Sequence, residues 1–223
     1  GDELGIPVEI LPNQQFLSNR FEPLPDIKPG ENVRQETFYR AMRRQFNLMM
    51  DDAGKPLGGK WNFDKQNRQP LQEDIDPPDP VTFEPDELTR KAIEDVTENY
   101  QGVGDVRDFS LPVTNEDAQR AADDFFANRF AKFGTYEDAM SRGHDVVFHS
   151  KLSPCINLGL LDPLDLAQRA ETAYREDRVT INNAEGFIRQ VIGWREYMFW
   201  QYRRLMPDLA DGNTFEAKEP LPD

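Results

Sequence analysis

Residues 148–200 read FHSKLSPCINLGLLDPLDLAQRAETAYREDRVTINNAEGFIRQVIGWREYMFW. Two helix starts stand in this stretch. Asp162-Pro163 supplies an N-cap carboxylate followed by a proline at the first helical position, where the missing N–H costs nothing. Asn182 with Glu185 has the spacing of a capping box. The first start predicts a helix to about Arg175. The second predicts the longest helix of the chain, to about Leu205, stopped by Pro207. Gly186 and Gly193 lie seven apart on one face of that helix. Each costs about 1 kcal/mol relative to Ala inside a helix, so the pair predicts a close neighbour there.

Working outward, helical spacing continues on both sides. Phe38, Met42, Phe46 and Met49 recur at helical intervals and predict a helix over Glu36–Met50. Leu88, Ile93 and Val96 give a second apolar stripe from Asp86. Thr114 with Asp117 opens a third helix, running to about Lys132, with Ala118, Ala122, Phe125 and Phe130 on its inner side. FGTYEDAM (133–140) predicts a turn and a short helix. Phe16 and Leu17 start another short helix. A strand is expected at Gly5–Leu11, entered from a helix end, which suggests the close of an α/β unit. The loop KPLGGKWNFDKQNR (55–68) buries aromatics and reads first as packed surface, second as a ligand loop. Residues 70–85 (PLQEDIDPPDPVTFEP) are acidic and proline-rich and predict an extended linker.

The expected class is therefore mainly α. Residues 1–69 are the C-terminal part of an α/β domain, 70–85 the linker, 86–206 a helical domain and 207–223 a polar tail.

Composition limits function. The net charge is −15 over 223 residues, with 30% charged and 38% hydrophobic residues. A free-standing nucleic-acid binder needs a basic face. Here the cations must be gathered locally, or such binding is disfavoured. The one cysteine, Cys155, excludes a disulfide within the chain and a cysteine-only metal site, and His144 and His149 are too few for a His-rich one. No metal ligand is assigned. No apolar run approaches the length of about 18 residues needed to span a membrane. A soluble, cytoplasmic protein is expected.

Two groups of residues carry candidate chemistry. His149-Ser150-Lys151-Leu152-Ser153-Pro154 places two hydroxyls, a cation and successive N–H groups at a helix start, as a phosphate cradle requires. The same serines could simply cap the helix. In the long helix, Trp194, Tyr197 and Trp200 could line a flat apolar pocket, while Arg189 and Arg195 could meet a phosphate or a carboxylate. A core helix with snorkelling arginines is the alternative.

Together, LSPxxNxGLL and EGFIRQxIGWREY resemble the photolyase/cryptochrome superfamily. More narrowly they are similar to its bacterial iron–sulfur branch, the photolyase-related proteins that include prokaryotic (6-4) photolyases. ETFYRAMRRQFNLMM, KPLGGKWNFDKQNR, FEPDELTRKAIEDV, LPVTNEDAQRAADDF and FGTYEDAM resemble further blocks of that branch in the same order.

The resemblance implies the end of an antenna-type domain followed by the first helices of a FAD domain, catalysing light-driven electron transfer from FAD for DNA photolesion repair or blue-light sensing. It assigns the FAD phosphates to Ser150, Lys151, Leu152 and Ser153, with His149 preceding them, and a flavin contact to Tyr136. It directs Trp194 and Arg195 toward the flavin and lesion cavity, with Tyr197 expected to line that cavity beside Trp194 and Arg189 kept as a further cofactor-binding candidate from the helix reading. The branch carries an iron–sulfur ligand where Ala167 stands here, so no cluster is expected in this chain. By the same resemblance, the first strands of the antenna domain and the helices completing the FAD pocket lie outside residues 1–223. A second reading follows: a degenerate or partial photolyase-like chain serving as a non-catalytic subunit, completed by a companion polypeptide or a larger complex.

Overall fold

The computed structural model describes residues 5, 7–9, 15–28, 30–100 and 102–220. Among them the chain is helical, with a lone antiparallel bridge between Met50 and Pro56. The helices are α1 (Gln35–Gln45), α2 (Glu87–Asn99), α3 (Asn115–Asn128), α4 (Ser153–Asn157), α5 (Pro163–Arg175), α6 (Ile181–Ile188) and α7 (Glu196–Leu205). A π-helical turn, Arg189–Arg195, joins α6 to α7 in one continuous rod. This mainly α architecture is the one the periodicity predicts. Ile6, Ile10 and Leu11 of the expected strand lie outside the described residues; Pro7, Val8 and Glu9 carry no regular structure.

The rod is the axis. α1 and α5 pack along it, and one apolar core takes in Phe38 and Met42 of α1, Phe125 of α3, Leu166 of α5 and Phe187 and Ile192 of the rod. Phe187 meets Phe125, Phe126, Phe130 and Phe133 at centroid distances of 5.2–5.8 Å, mostly edge-on or tilted, the arrangement that aromatic quadrupoles favour.

Several starts and stops fall where the sequence puts them. Asp162 Oδ1 accepts from the N–H groups of Leu164 and Asp165, and Thr114 Oγ1 from that of Asp117. Others move, each for a polar reason. α1 ends at Gln45 rather than Met50, because the buried guanidinium of Arg43 donates to the carbonyls of Leu48 and Met49, and also to Trp61. These bonds fold the chain back under the helix, with Asn47 and Met49 at positive φ. The long helix starts after Thr180, not at Asn182. Asn182 donates instead to Asn67 Oδ1 at 3.0 Å, and Glu185 accepts from Phe63 N at 3.0 Å. Residues 133–140 form turns without the expected short helix.

Residues 70–85 contain no helix. They are held to α3, where Val81 N donates to Asp124 Oδ2 and the Arg120 guanidinium lies 5.2 Å from the Phe83 ring. The stripe of α2 is only loosely covered: the helix has no buried residue, Leu88 is 76% exposed, and Leu88, Ile93 and Val96 share an open apolar groove with Val106, Phe109 and Val113. No helix of the described residues is long and apolar enough to cross a membrane.

Candidate functional site

The His149–Pro154 turn leads directly into α4. Its backbone is set by Lys151 at φ +56°, which leaves that side chain in solvent. Leu152 is buried and anchors the turn in the core. Ser150 Oγ accepts from Leu152 N at 3.3 Å, a local turn bond. Ser153 opens α4 with its side chain exposed and takes no part in capping. The His149 carbonyl accepts from Arg129 Nε, and its ring Nδ1 from Val147 N. Tyr136 lies nearby in a separate small cluster, stacked on Phe148 at 5.3 Å.

The turn and the rod are clasped. Arg195 Nε donates to Asn157 Oδ1 at the end of α4, and Arg195 Nη1 to Gln15 O and Glu196 Oε1. Burial pushes the Arg195 pKa down from its ordinary value, against the pull of Glu196. Glu196 is fully buried, and its Oε2 accepts from both the N–H and the hydroxyl of Ser18 at 2.8 Å. Asn157, Arg195 and Glu196 therefore tie three chain segments together.

The second arginine is committed elsewhere. Arg189 lies within ion-pair range of Asp64 (2.9 Å), Glu137 (3.3 Å) and Glu185 (3.3 Å). Three carboxylates thus share one guanidinium, and the Glu185 pair is too poorly aligned to count as a hydrogen bond. Glu137 Oε2, Glu185 Oε1 and Asp64 Oδ1 make no hydrogen bond within the protein. Burial raises the pKa of Glu137 and of Glu185, with Arg189 opposing it in part. Burial also works against the charge of Arg189, but the surrounding carboxylates more than offset it and hold its pKa above the ordinary value.

Of the expected aromatic wall, Trp194 alone is substantially open, at 44% exposure. Tyr197 meets it edge-on at 6.0 Å, but its hydroxyl donates to Val33 O at 2.6 Å and its ring packs on Phe38. Trp200 is buried and donates through Nε1 to Glu22 Oε1. Tyr197 and Trp200 join the rod to α1; the apolar pocket expected between these rings and Trp194 is corrected to a helix–helix seam.

Both glycines of the rod mark close approaches. A Cβ on Gly193 would stand 2.6 Å from Gln35 Nε2 and 3.1 Å from the Tyr39 ring. One on Gly186 would meet Asn67 Nδ2 at 3.1 Å and Glu137 Oε2 at 3.3 Å.

The exposed Ser153 hydroxyl and Lys151 ammonium fit a phosphate group. Arg189 is committed to internal carboxylates, and Arg195 to Asn157, Gln15 and Glu196 through Nε and Nη1, with its buried Nη2 making no hydrogen bond within the protein. Sequence reading missed Asn157, Glu196, Glu137 and Asn67. The Glu185–Arg189 spacing of four was the legible signal of the carboxylate cluster. Ser18 and Asn67 carry no local signal.

The chain matches, over residues 1–111, the family model described as deoxyribodipyrimidine photo-lyase-related protein. It is 41% identical over 219 residues to the (6-4) photolyase of Agrobacterium fabrum, which covers 98% of this chain and 43% of that protein. Two uncharacterized proteins of Acanthamoeba polyphaga mimivirus also match. R853 is 35% identical over 87 residues (39% of this chain, 66% of that protein), and R852 is 42% identical over 50 (22% and 25%). The chain spans less than half the length of the photolyase it matches.

Proposed function

We propose that this chain forms part of a photolyase-type flavoprotein acting on DNA photolesions, with the Ser150–Ser153 turn as the seat of the FAD diphosphate. The observation that carries this reading is the 41% identity to a (6-4) photolyase along nearly the whole chain. The local chemistry supports it. Ser153 presents a free hydroxyl at the start of α4, Lys151 presents an ammonium beside it, and buried Leu152 fixes the turn. Phosphate oxygens are well served by such donors held in place before the ligand arrives.

FAD, when bound, would supply electron transfer; the residues of this chain bind and position. Arg195 acts here as a clamp between α4 and the rod, keeping the turn in register with Trp194. Tyr136 is held by its stack on Phe148, one residue before His149. Trp194 is the open aromatic face available to a flat ring.

Flavin titration tests the reading. The chain, alone or with a companion polypeptide carrying further helices, binds FAD, and the double variant Lys151→Ala/Ser153→Ala binds it at least tenfold more weakly. If no flavin binds under either condition, the chain is a non-catalytic photolyase-like subunit.

A further inference from the structure

The loop after α1 builds a second site. We infer that the cleft around Trp61 binds a phosphate-bearing planar ring, a nucleotide unit, by stacking on an indole ringed with cations. The cleft has a volume of about 410 Å³ and is lined by Glu36, Arg40, Lys60, Trp61, Phe63 and Lys65, among others. That size falls in the range of small-molecule sites, which run from roughly 300 to 1,000 Å³.

Charge is distributed unusually here for a chain of net charge −15. Lys60, Lys65 and Arg44 are exposed and make no ion pair among the described residues. The guanidinium of Arg44 lies 4.7 Å from the Trp61 ring centre, and those of Arg43 and Arg40 lie at 5.2 and 5.4 Å. The acids beside the cleft already have cationic partners within the chain. Glu36 accepts from Arg40 and from Asn62, and Asp64 pairs with Arg68 and Arg189. Of the two alternatives the net charge leaves open, local gathering of cations is the one this loop supports.

The loop is also held rigid from below. Trp61 O accepts from buried Arg43, and Phe63 N donates to buried Glu185. Leu57 N donates to Met49 O. Gly58 has φ +68°, and a Cβ there would stand 2.7 Å from Ile181 Cδ1 and 2.8 Å from the Phe63 ring. An aromatic platform fixed by buried bonds and flanked by exposed cations is an arrangement that can hold a base and its phosphate. The inference does not depend on the flavin assignment, since none of its residues belongs to the Ser150–Ser153 turn.

The test uses the full chain at low salt. A labelled oligothymidylate is titrated by fluorescence anisotropy, and thymidine monophosphate and pyrophosphate are measured by equilibrium dialysis. Binding of the strand, the mononucleotide or both supports the site, and the pattern distinguishes a nucleic-acid strand from a free nucleotide. Lys60→Glu/Lys65→Glu, confined to exposed side chains, is expected to weaken binding at least tenfold. Trp61→Leu should weaken nucleotide binding but leave pyrophosphate binding unchanged. With about three phosphate contacts, strand affinity should fall with salt at a log–log slope of about −2. Unchanged affinity in the double lysine variant, no binding of strand or mononucleotide, or pyrophosphate binding as tightly as the mononucleotide would overturn it.

Discussion

Arg189 and its three carboxylates make the sharpest residue-level prediction. Glu137 and Glu185 have raised pKa values because burial disfavours their charge. The folded chain therefore holds protons that the unfolded chain has released over the pH range just above the ordinary carboxylate pKa. Stability from this cluster is fully present below that value and is lost as pH rises through the raised ones. Replacing Glu137 with Gln removes surplus negative charge, so urea denaturation as a function of pH should show a flatter decline in stability from acid to neutral pH. Replacing Arg189 with Met leaves the carboxylates without their cation, and should cost about 3–5 kcal/mol at neutral pH. Equal pH slopes in Glu137→Gln and wild type would remove the cluster from the explanation. Arg43 offers a second residue-level test. Its three carbonyl acceptors require the fork of a guanidinium, so Arg43→Lys should cost roughly 2–3 kcal/mol by orphaning buried carbonyls.

At the scale of elements, glycine contacts rank the cost of crowding. A Cβ on Gly134 would strike backbone: Asn182 O at 2.5 Å and Asn183 Cα at 2.9 Å. A Cβ on Gly193 would strike first the end of the Gln35 side chain, which can move. Gly134→Ala should therefore destabilise by more than about 3 kcal/mol, and Gly193→Ala by about 1–2 kcal/mol, in thermal or urea unfolding. The reverse order would show that the Glu137 turn, not α1, yields to the rod. Leu88→Ser on α2 should change stability by less than about 0.5 kcal/mol, because Leu88 is 76% exposed on a helix with no buried residue.

The same comparison explains what could be read beforehand. α3, α5 and the rod were legible because caps and apolar spacing agree locally at Thr114, Asp162 and Phe187. α1 was predicted five residues too long because the group that ends it, Arg43, acts through tertiary bonds to the chain it folds under. Asn182 and Glu185 look like a capping box, but Asn67 and Phe63 take their polar atoms from more than a hundred residues away. Gly186 and Gly193 were read correctly as close approaches, since a helical glycine has few other reasons to be there. The direction of Arg189 was not readable: the choice between a phosphate and a carboxylate is made by Asp64 and Glu137, distant in sequence.

For the whole molecule, the rod Ile181–Leu205 is the common support. It carries Glu185 and Arg189 to the carboxylate cluster, Arg195 to α4, Glu196 to Ser18 and Tyr197 to α1. The π turn lies between these attachments, and such turns recur at functional sites because they re-aim side chains along a helix. Here it leaves Trp194 open while Arg189 and Arg195 are held on either side. The central claim is that this scaffold presents the Ser150–Ser153 turn for a flavin diphosphate. The direct measurement is FAD affinity of wild type against Lys151→Ala/Ser153→Ala, followed by flavin absorbance in the blue. The account predicts saturable binding that weakens at least tenfold in the double variant, whose exposed side chains leave the fold intact. Binding of equal affinity in both proteins would contradict it.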